Sequence, residues 1–501
     1  MSAIKKLAGQ TMWYGVSSIA ARFINYLLTP YLTNEHVLKV SDYGKMSLLY
    51  AAIPLLNVLF TYGFETAYFR FAQRKEHETS IYSTASISLF FSTILFGLIL
   101  WLFRGSLAAF TGLSDYPQLI QLTIIIIILD TLNILPFARL RQQGRPVKFA
   151  LIRISGIIVN IGFTVFFLSY CPQILKSGTS SWIGFIYDPT VNPVTYVVIA
   201  NLISSAFTLL LLANEIGAVR IKFDPKLWKE MMTYSLPLII VGLGGMINET
   251  FDRVMLGWWV PGSEIFKQEQ VGIYSACYKL SILITLFIQA FRMGAEPFFF
   301  KQAQGTQPQK TYARVMKFFV ITVTAMFLFV SLFLDLWKYF IGKSYWAGLS
   351  VVPILLLANI FLGIYYNLSI WYKLGNRTKA GAYITLSGAA ITLIINYLFI
   401  PRYGYMACAW ATFACYGTMM VISYVWGQKE YRIPYVTKKL LAYIAIVVVL
   451  FFIHKGITAY ITNLYFCLAL GAVLFFIYAS FILIVEKKEF QKLPVFGKYI
   501  R

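Results

Sequence analysis

The run Met246-Ile247-Asn248-Glu249-Thr250-Phe251-Asp252-Arg253 places three ionisable side chains inside a long apolar segment, residues 232–260. Trp258 and Trp259 follow, and a tryptophan pair at the end of an apolar helix is typical of a membrane interface. The hydrocarbon core of a bilayer is about 20 helical residues thick, so the segment predicts a membrane-spanning helix. Charged groups at that depth cost about 2.5–3.5 kcal/mol each. We therefore expect them to face a bundle interior or a wet cavity.

Two interpretations of this run remain open. In a continuous helix, positions 249, 252 and 253 share one face, and Glu249 and Arg253 have the favourable order for an intrahelical ion pair. Such a pair would give the run a structural role. The alternative is a polar site on a transport path.

The composition indicates a membrane protein over the whole chain. Of the 501 residues, 59% are hydrophobic and 13% are charged, whereas soluble proteins carry about 25% charged residues. Apolar runs of about 18 residues or more recur from one end to the other. The sequence therefore predicts an all-α polytopic membrane protein, with the lipid bilayer as its surroundings.

The apolar runs predict about 14 transmembrane helices. Their expected positions are 11–32, 44–67, 82–103, 117–138, 148–170, 193–214, 232–260, 271–299, 315–341, 349–372, 380–400, 404–426, 440–460 and 463–485.

The positive charge follows the loops between these spans. The loops on one side of the membrane carry about three times as many Lys and Arg residues as the loops on the other side. The positive-inside rule assigns the richer side to the cytoplasm. Both termini of this multi-pass protein are therefore expected to be cytoplasmic. The net charge of +23 has the same explanation, and no nucleic-acid partner is expected.

The chain also repeats itself. Gly44 corresponds to Gly272, each after an external loop, and Glu65 corresponds to Glu296, each before a cytoplasmic aromatic helix end. The copies run parallel, a pattern typical of transporters built from two similar bundles. The repeat places Arg22 opposite the run at 246–253.

The repeat predicts three parts of the chain. They are an N-terminal six-helix bundle at 1–222, a second six-helix bundle at 223–428, and an appended helix pair with a cytoplasmic tail at 429–501.

Cationic side chains in the predicted spans suit an anionic substrate. Arg22 lies near the middle of its span, and the planar guanidinium fork matches phosphate with two parallel hydrogen bonds. Arg253 and Lys279 could join it in one cationic cavity. The structural alternative is a salt bridge from Arg22 to Asp130 or Asp252.

Four acids are predicted to act in coupling or gating. They are Asp252, Glu65, Glu296 and Asp130. A partly desolvated carboxylate can exchange protons with water, which would suit a relay of H⁺ or Na⁺. Arg292 precedes Glu296 by one helical turn, so a purely structural ion pair is the alternative there.

Signatures of catalysis and of metal binding are missing from the sequence. The five cysteines form no CxxC, the three histidines are scattered, and no nucleotide-binding or hydrolase motif occurs. We expect no enzyme activity, no catalytic residue, no bound metal and no cofactor beyond a coupling ion.

Several local matches carry a resemblance to a known family. Asp42-Tyr43-Gly44, Asp252-Arg253-Val254-Met255-Leu256-Gly257 and Val271-Gly272-Ile273-Tyr274, together with the six-plus-six repeat and the trailing pair, resemble the Wzx-type polysaccharide flippases. These belong to the multidrug/oligosaccharidyl-lipid/polysaccharide exporter superfamily. The resemblance covers nearly the whole chain.

The resemblance implies two bundles that rock around a cationic cavity by alternating access. The expected substrate is an undecaprenyl-pyrophosphate-linked oligosaccharide that moves from the cytoplasmic to the outer leaflet for surface polysaccharide biosynthesis. A monomer is expected, with transient contacts to a glycan polymerase or glycosyltransferases. Arg22 fits the first-helix arginine that lipid II flippases of the superfamily keep in their cavity.

Other functions stay open from the sequence. A drug or cation antiporter of the same fold would depend on the acids, but Arg22 would repel a cationic drug. A lipid II flippase is a further alternative, although this chain lacks a dense cluster of cavity arginines. A membrane enzyme or ligase of the same pathway is opposed by the small outer loops.

Overall fold

The computed structural model describes residues 19–20, 22–72, 80–178, 181–303, 305–375, 377–461 and 463–491. These residues form helices and their connections, with no strand among them. Of the helices in this part of the chain, 13 are long and apolar enough to cross a membrane. Their bounds are Val40–Thr61, Ile81–Leu102, Pro117–Gln142, Pro146–Ser177, Pro193–Leu211, Pro225–Glu249, Glu264–Gln302, Pro308–Leu332, Val351–Leu374, Thr378–Tyr403, Tyr405–Glu430, Thr437–Thr458 and Leu464–Val485.

The prediction of an all-α, multi-pass membrane protein is confirmed. Each of the 13 helices overlaps one predicted span. The remaining predicted span, 11–32, lies largely outside the described residues.

Several of these helices begin where their sequence favours a start. Proline occupies the first position at Pro117, Pro146 and Pro193, where its fixed φ and missing N–H suit the first helical turn. The Asn192 side chain accepts a hydrogen bond from the Val194 N–H at 2.9 Å. The Asp224 side chain accepts hydrogen bonds from the N–H groups of Lys226 and Leu227. These side chains satisfy backbone donors that the first turn leaves unpaired.

The chain packs as two compact units. The first comprises the described parts of Met1–Ala276 and Thr385–Cys415, and the second those of Cys277–Ile384 and Tyr416–Arg501. This grouping cuts through individual helices and does not test the predicted division at 222 and 428. That division stays a prediction.

The expected continuous helix at 232–260 is wrong. A helix ends at Glu249, Thr250 has φ −132° and ψ −20°, and a second helix runs from Phe251 to Trp259. The Thr250 hydroxyl lies within hydrogen-bond distance of the Met246 carbonyl (3.2 Å) and of the Ala51 carbonyl on another helix (3.3 Å). Threonine hydroxyls compete with helical hydrogen bonds in this way. Positions 249, 252 and 253 therefore do not share one helix face.

Helices Val40–Thr61 and Glu264–Gln302 cross at two glycines within the first unit. A Cβ atom on Gly44 would overlap the carbonyl oxygen of Gln268, and one on Gly272 would overlap the carbonyl oxygen of Val40. Small residues permit such close approach of membrane helices. Glycine is therefore required at both positions for the helices to touch.

In the second unit, the last two long helices pack against Pro308–Leu332. The side chain of Glu486 is buried and accepts hydrogen bonds from Lys317 at 2.8 Å and from the Tyr443 hydroxyl. Lys439 lies 2.6 Å from the same carboxylate. The sequence predicted almost no buried charge in the appended pair, so this ionic cluster is a finding of the structure.

Candidate functional site

Asp252 and Arg253 form a buried ion pair at the start of the second half of the broken helix. The Arg253 Nη1 lies 2.7 Å from the Asp252 Oδ1. Arg253 is 9% exposed and Asp252 is 2% exposed. The Tyr274 hydroxyl donates to the Asp252 Oδ2 at 2.6 Å. Both carboxylate oxygens are therefore engaged, and the pair brings no net charge.

The Glu249–Arg253 ion pair, one of the two interpretations of the run, is replaced by a different contact. Arg253 Nη1 donates to the backbone carbonyl oxygen of Glu249 at 2.7 Å, while the Glu249 side chain is exposed. Because the helix ends at Glu249, this carbonyl needs a donor from outside the helical ladder. Arg253 supplies it and so caps the first half of the broken helix.

Polar groups from neighbouring helices surround this pair within the first unit. Asn248 donates to the Thr385 carbonyl at 3.1 Å, and the Cys408 thiol lies 3.7 Å from the Asp252 carbonyl oxygen. Asn396 is fully buried beside Met255. The broken helix is therefore fixed at its polar centre by helices Thr378–Tyr403 and Tyr405–Glu430.

A second polar cluster lies among the N-terminal helices. The Ser205 hydroxyl donates to the Asp130 Oδ1 at 2.7 Å. Asp130 also interacts electrostatically with Arg153 and with Tyr50, whose hydroxyl accepts from Asn201 at 3.3 Å. Asp130 is thus held by residues of several helices.

Arg22 joins this cluster through Arg153. The two guanidinium groups are close enough to repel each other, and Arg153 is attracted by Asp130. Both arginine side chains are exposed. Charged side chains within membrane-spanning helices are expected to face a bundle interior or water rather than lipid, so we infer that the two arginines and half-buried Asp130 line a polar space.

Arg153 was not predicted as a site residue. It is an arginine within an apolar span, the same signal that marked Arg22, but its partners lie on other helices. Ser205 and Tyr274 were missed because hydroxyl groups in apolar helices are common, and their contacts depend on the tertiary packing.

The two glutamates of the repeat are each paired with basic residues. Glu65 forms an ion pair with Arg141. Glu296 lies 3.3 Å from the Arg292 Nε and 2.6 Å from the Lys373 Nζ. The structural alternative for Glu296 is thus present in the structure, with a second cation added.

Lys279 is half-buried in the part of Glu264–Gln302 that belongs to the second unit. Its place in a common cationic cavity with Arg22 and Arg253 stays a prediction. Arg253 itself is neutralised by Asp252. Among the described residues, no group of His, Cys, Asp and Glu side chains could hold a metal ion.

Comparison with known proteins finds a family that matches the sequence of this chain. The sequence model of the family described as "Polysaccharide biosynthesis protein" matches residues 7–303. A Haemophilus influenzae protein of the Lsg locus is 21% identical over 377 residues, which cover 71% of this chain and 84% of that protein.

Solved structures share the fold. The lipid II flippase MurJ in an inward closed conformation matches with a TM-score of 0.66 and 15% identity, covering 94% of this chain and 98% of the flippase. An inward-facing multidrug resistance MATE family transporter of the MOP superfamily matches with a TM-score of 0.60 and 13% identity, covering 87% and 95%. The fold is that of membrane transporters.

Proposed function

Because the chain belongs to the polysaccharide biosynthesis protein family, we propose that it is a flippase for a lipid-linked glycan. Its substrate is an undecaprenyl-pyrophosphate-linked oligosaccharide, which it moves from the cytoplasmic to the outer leaflet of a bacterial plasma membrane. Both termini are cytoplasmic in this proposal, and the protein acts as a monomer. Glycosyltransferases supply the substrate, and a glycan polymerase consumes it.

The approach of Arg22 to Arg153 beside one acid carries this proposal. Two exposed guanidinium groups that repel each other gain most from a ligand with two adjacent negative centres. A pyrophosphate is such a ligand, and each guanidinium can donate two parallel hydrogen bonds to phosphate oxygens. Asp130 limits the excess positive charge, which weakens the hold on the anion and so favours its release.

The same cluster disfavours a cationic substrate. A drug cation placed beside Arg22 and Arg153 would meet two like charges, and like-charge juxtaposition costs several kcal/mol. The fold shared with a multidrug transporter therefore does not extend, in this proposal, to its substrate.

Alternating access requires the helices to change their packing, and we assign the driving ion to the acids. Asp252 and Asp130 lie inside the helical bundle, and Glu65 and Glu296 lie in ion pairs with basic partners. Uptake of H⁺ or Na⁺ at a carboxylate would weaken such pairs and so shift the balance between two packings. No other cofactor enters the proposal.

A cell that makes the cognate glycan and lacks its own flippase tests the function. Arg22→Ala and Arg153→Ala should each reduce surface glycan, and the double variant should abolish it. Arg22→Lys should retain part of the activity, because lysine keeps the charge but loses the fork. Arg402→Ala, an exposed arginine at a helix end, is the matched control.

The amount of each variant in the membrane is measured alongside surface glycan. Wild-type surface glycan in the double variant at equal abundance would overturn the pyrophosphate site. Restoration of drug resistance instead of surface glycan by the wild-type protein would overturn the substrate class. Translocation that persists after collapse of the proton and sodium gradients would remove the coupling role of the acids.

A further inference from the structure

The first unit contains an apolar cavity away from both polar clusters. It has a volume of about 420 Å³ and lies between helices Val40–Thr61, Ile81–Leu102 and Pro225–Glu249. Pockets that bind small molecules range over about 300–1,000 Å³. The space is therefore large enough to hold part of a ligand.

The polar groups at this cavity are already satisfied by one another. The Tyr62 hydroxyl lies 2.9 Å from the Ser88 hydroxyl and accepts from Ser92 at 3.1 Å. The Trp228 Nε1 donates to Ser88 at 2.8 Å. These contacts fix two aromatic rings in the wall, and they leave the cavity with an apolar lining of Leu, Ile, Phe and Met side chains.

Backbone strain at Tyr62 holds one of these rings in place. Tyr62 has φ +35°, and in the described chain it is the one residue other than glycine with positive φ. Gly63 follows with φ +75°. A left-handed conformation of a bulky residue costs about 1–3 kcal/mol and persists where the surroundings impose it. Here the turn directs the Tyr62 ring into the cavity wall.

The mouth of the cavity opens on membrane-spanning helix surfaces. Leu59, Ile99 and Leu236 line the cavity and are 42%, 41% and 49% exposed. Leu236 lies about 16 Å along its helix from Pro225, at 1.5 Å per residue. If Pro225–Glu249 crosses the bilayer as its length and composition indicate, this depth lies within the hydrocarbon core, and we expect a ligand that enters there to be a hydrocarbon chain rather than a solute from water.

We propose that this cavity binds an isoprenoid stretch of the polyprenyl chain of the substrate lipid. The inference rests on the proposed function, because it names the subsite for the tail of that substrate. On the predicted topology, Trp228 and Leu236 lie in the cytoplasmic half of the membrane or near its midplane, where the substrate enters. A methyl-branched chain is broader than a linear acyl chain, so each isoprene unit offers more apolar surface to the Leu, Ile and Phe side chains of the lining.

The test measures binding of undecaprenyl phosphate to the purified full chain in nanodiscs, by native mass spectrometry. Leu236→Trp and Leu59→Trp place a large side chain across the mouth from opposite walls. Each should raise the Kd for undecaprenyl phosphate by about tenfold, a loss of about 1.4 kcal/mol. Ile240→Trp is the matched control, because Ile240 is 58% exposed one turn further along the same helix and does not line the cavity.

Two further probes separate the tail from the headgroup and from membrane lipids. Binding of undecaprenol, which has no phosphate, should fall in Leu236→Trp and persist in the Arg22→Ala/Arg153→Ala double variant. Phosphatidylglycerol should compete weakly. Equal competition by phosphatidylglycerol would identify the occupant as an ordinary membrane lipid and overturn the proposal.

The tail site and the proposed function can fail separately. An unchanged Kd in both Leu236→Trp and Leu59→Trp would overturn the tail site, and so would an absence of undecaprenol binding by the wild-type protein. Neither result bears on the surface-glycan assay, which judges the transport function by itself.

Discussion

Gly44 lies against the backbone of the residue four positions before Gly272, and Gly272 lies against the backbone of the residue four positions before Gly44. The contact is therefore the same when the two helices are exchanged. These are the two glycines that correspond in the predicted repeat. A reciprocal contact of this kind is expected where equivalent helices of two similar bundles meet about a two-fold axis.

We predict that Gly44→Ala and Gly272→Ala each destabilise the protein. A methyl group at either position overlaps a carbonyl oxygen, and overpacking costs about 1–3 kcal/mol. Thermal unfolding of the purified protein should show a lower Tm for both variants. Gly162→Ala is the control, because a Cβ there meets open space. Equal Tm values for Gly44→Ala and Gly162→Ala would show that the helices can separate without loss.

The Asp252–Arg253 pair gives a second prediction. Asp252→Asn leaves a buried arginine without its counter-charge, and removal of one partner of a buried pair costs about 3–5 kcal/mol. The double variant Asp252→Asn/Arg253→Gln should be more stable than Asp252→Asn alone, because no uncompensated charge is left. The free energies of unfolding of the wild type, Asp252→Asn and the double variant check this. Asp115→Asn, at an exposed aspartate, is the control. A double variant less stable than Asp252→Asn would contradict it.

Asp130 should weaken the binding of anionic headgroups while it stabilises the two arginines. Asp130→Asn removes one negative charge near Arg153, and at an effective dielectric constant near 20 this is worth about 1–2 kcal/mol over several Å. Undecaprenyl phosphate should then bind about tenfold more tightly, and transport should slow because release is slower. Weaker binding in Asp130→Asn would show instead that the acid positions the arginines. Arg153→Ala should change the affinity in the opposite direction.

The cluster around Glu486 predicts a dependence of stability on pH. Burial opposes ionisation of this carboxyl group, yet the hydrogen bonds from Lys317, Lys439 and Tyr443 outweigh it and lower its pKa. A lowered folded-state pKa stabilises the protein fully above the ordinary glutamate pKa, about 4.3. That contribution is lost as the pH falls through the folded-state pKa.

Thermal unfolding between pH 3 and 7 measures this effect. Glu486→Gln should lower the Tm at neutral pH. The Tm of this variant should also fall less than that of the wild type as the pH is lowered. Glu264→Gln, at an exposed glutamate paired with Lys267, should behave as the wild-type protein. If the Tm of Glu486→Gln and that of the wild type fall equally steeply as the pH is lowered, the pH dependence belongs to other groups.

The transmembrane helices could be predicted because their signal is local. Runs such as 117–138 and 463–485 are apolar along their whole length, and the structure places helices Pro117–Gln142 and Leu464–Val485 there. A bilayer demands this of each helix by itself, since every backbone polar group must be satisfied within the segment.

The break at Thr250 could not be predicted because its cause is tertiary. No proline stands at the break, and the residue that ends the helix also contacts Ala51, almost two hundred positions earlier in the chain. The approach of Arg153 to Arg22 and the hydrogen bond from Ser205 to Asp130 likewise join residues that are far apart in the chain. The sequence identified the charged residues, whereas the packing decided which of them meet.

The break at Thr250 has a mechanical consequence. An unbroken helix transmits a tilt or a rotation from end to end, but non-helical torsion angles at one residue release that constraint. The two halves that meet at Thr250 can therefore point in different directions, and each is held by its own contacts: Asn248 donates to the Thr385 carbonyl, and Tyr274 donates to Asp252. The ion pair therefore joins the half that borders the apolar cavity to the half that carries Asp252, because Arg253 donates both to the Glu249 carbonyl and to the Asp252 carboxylate.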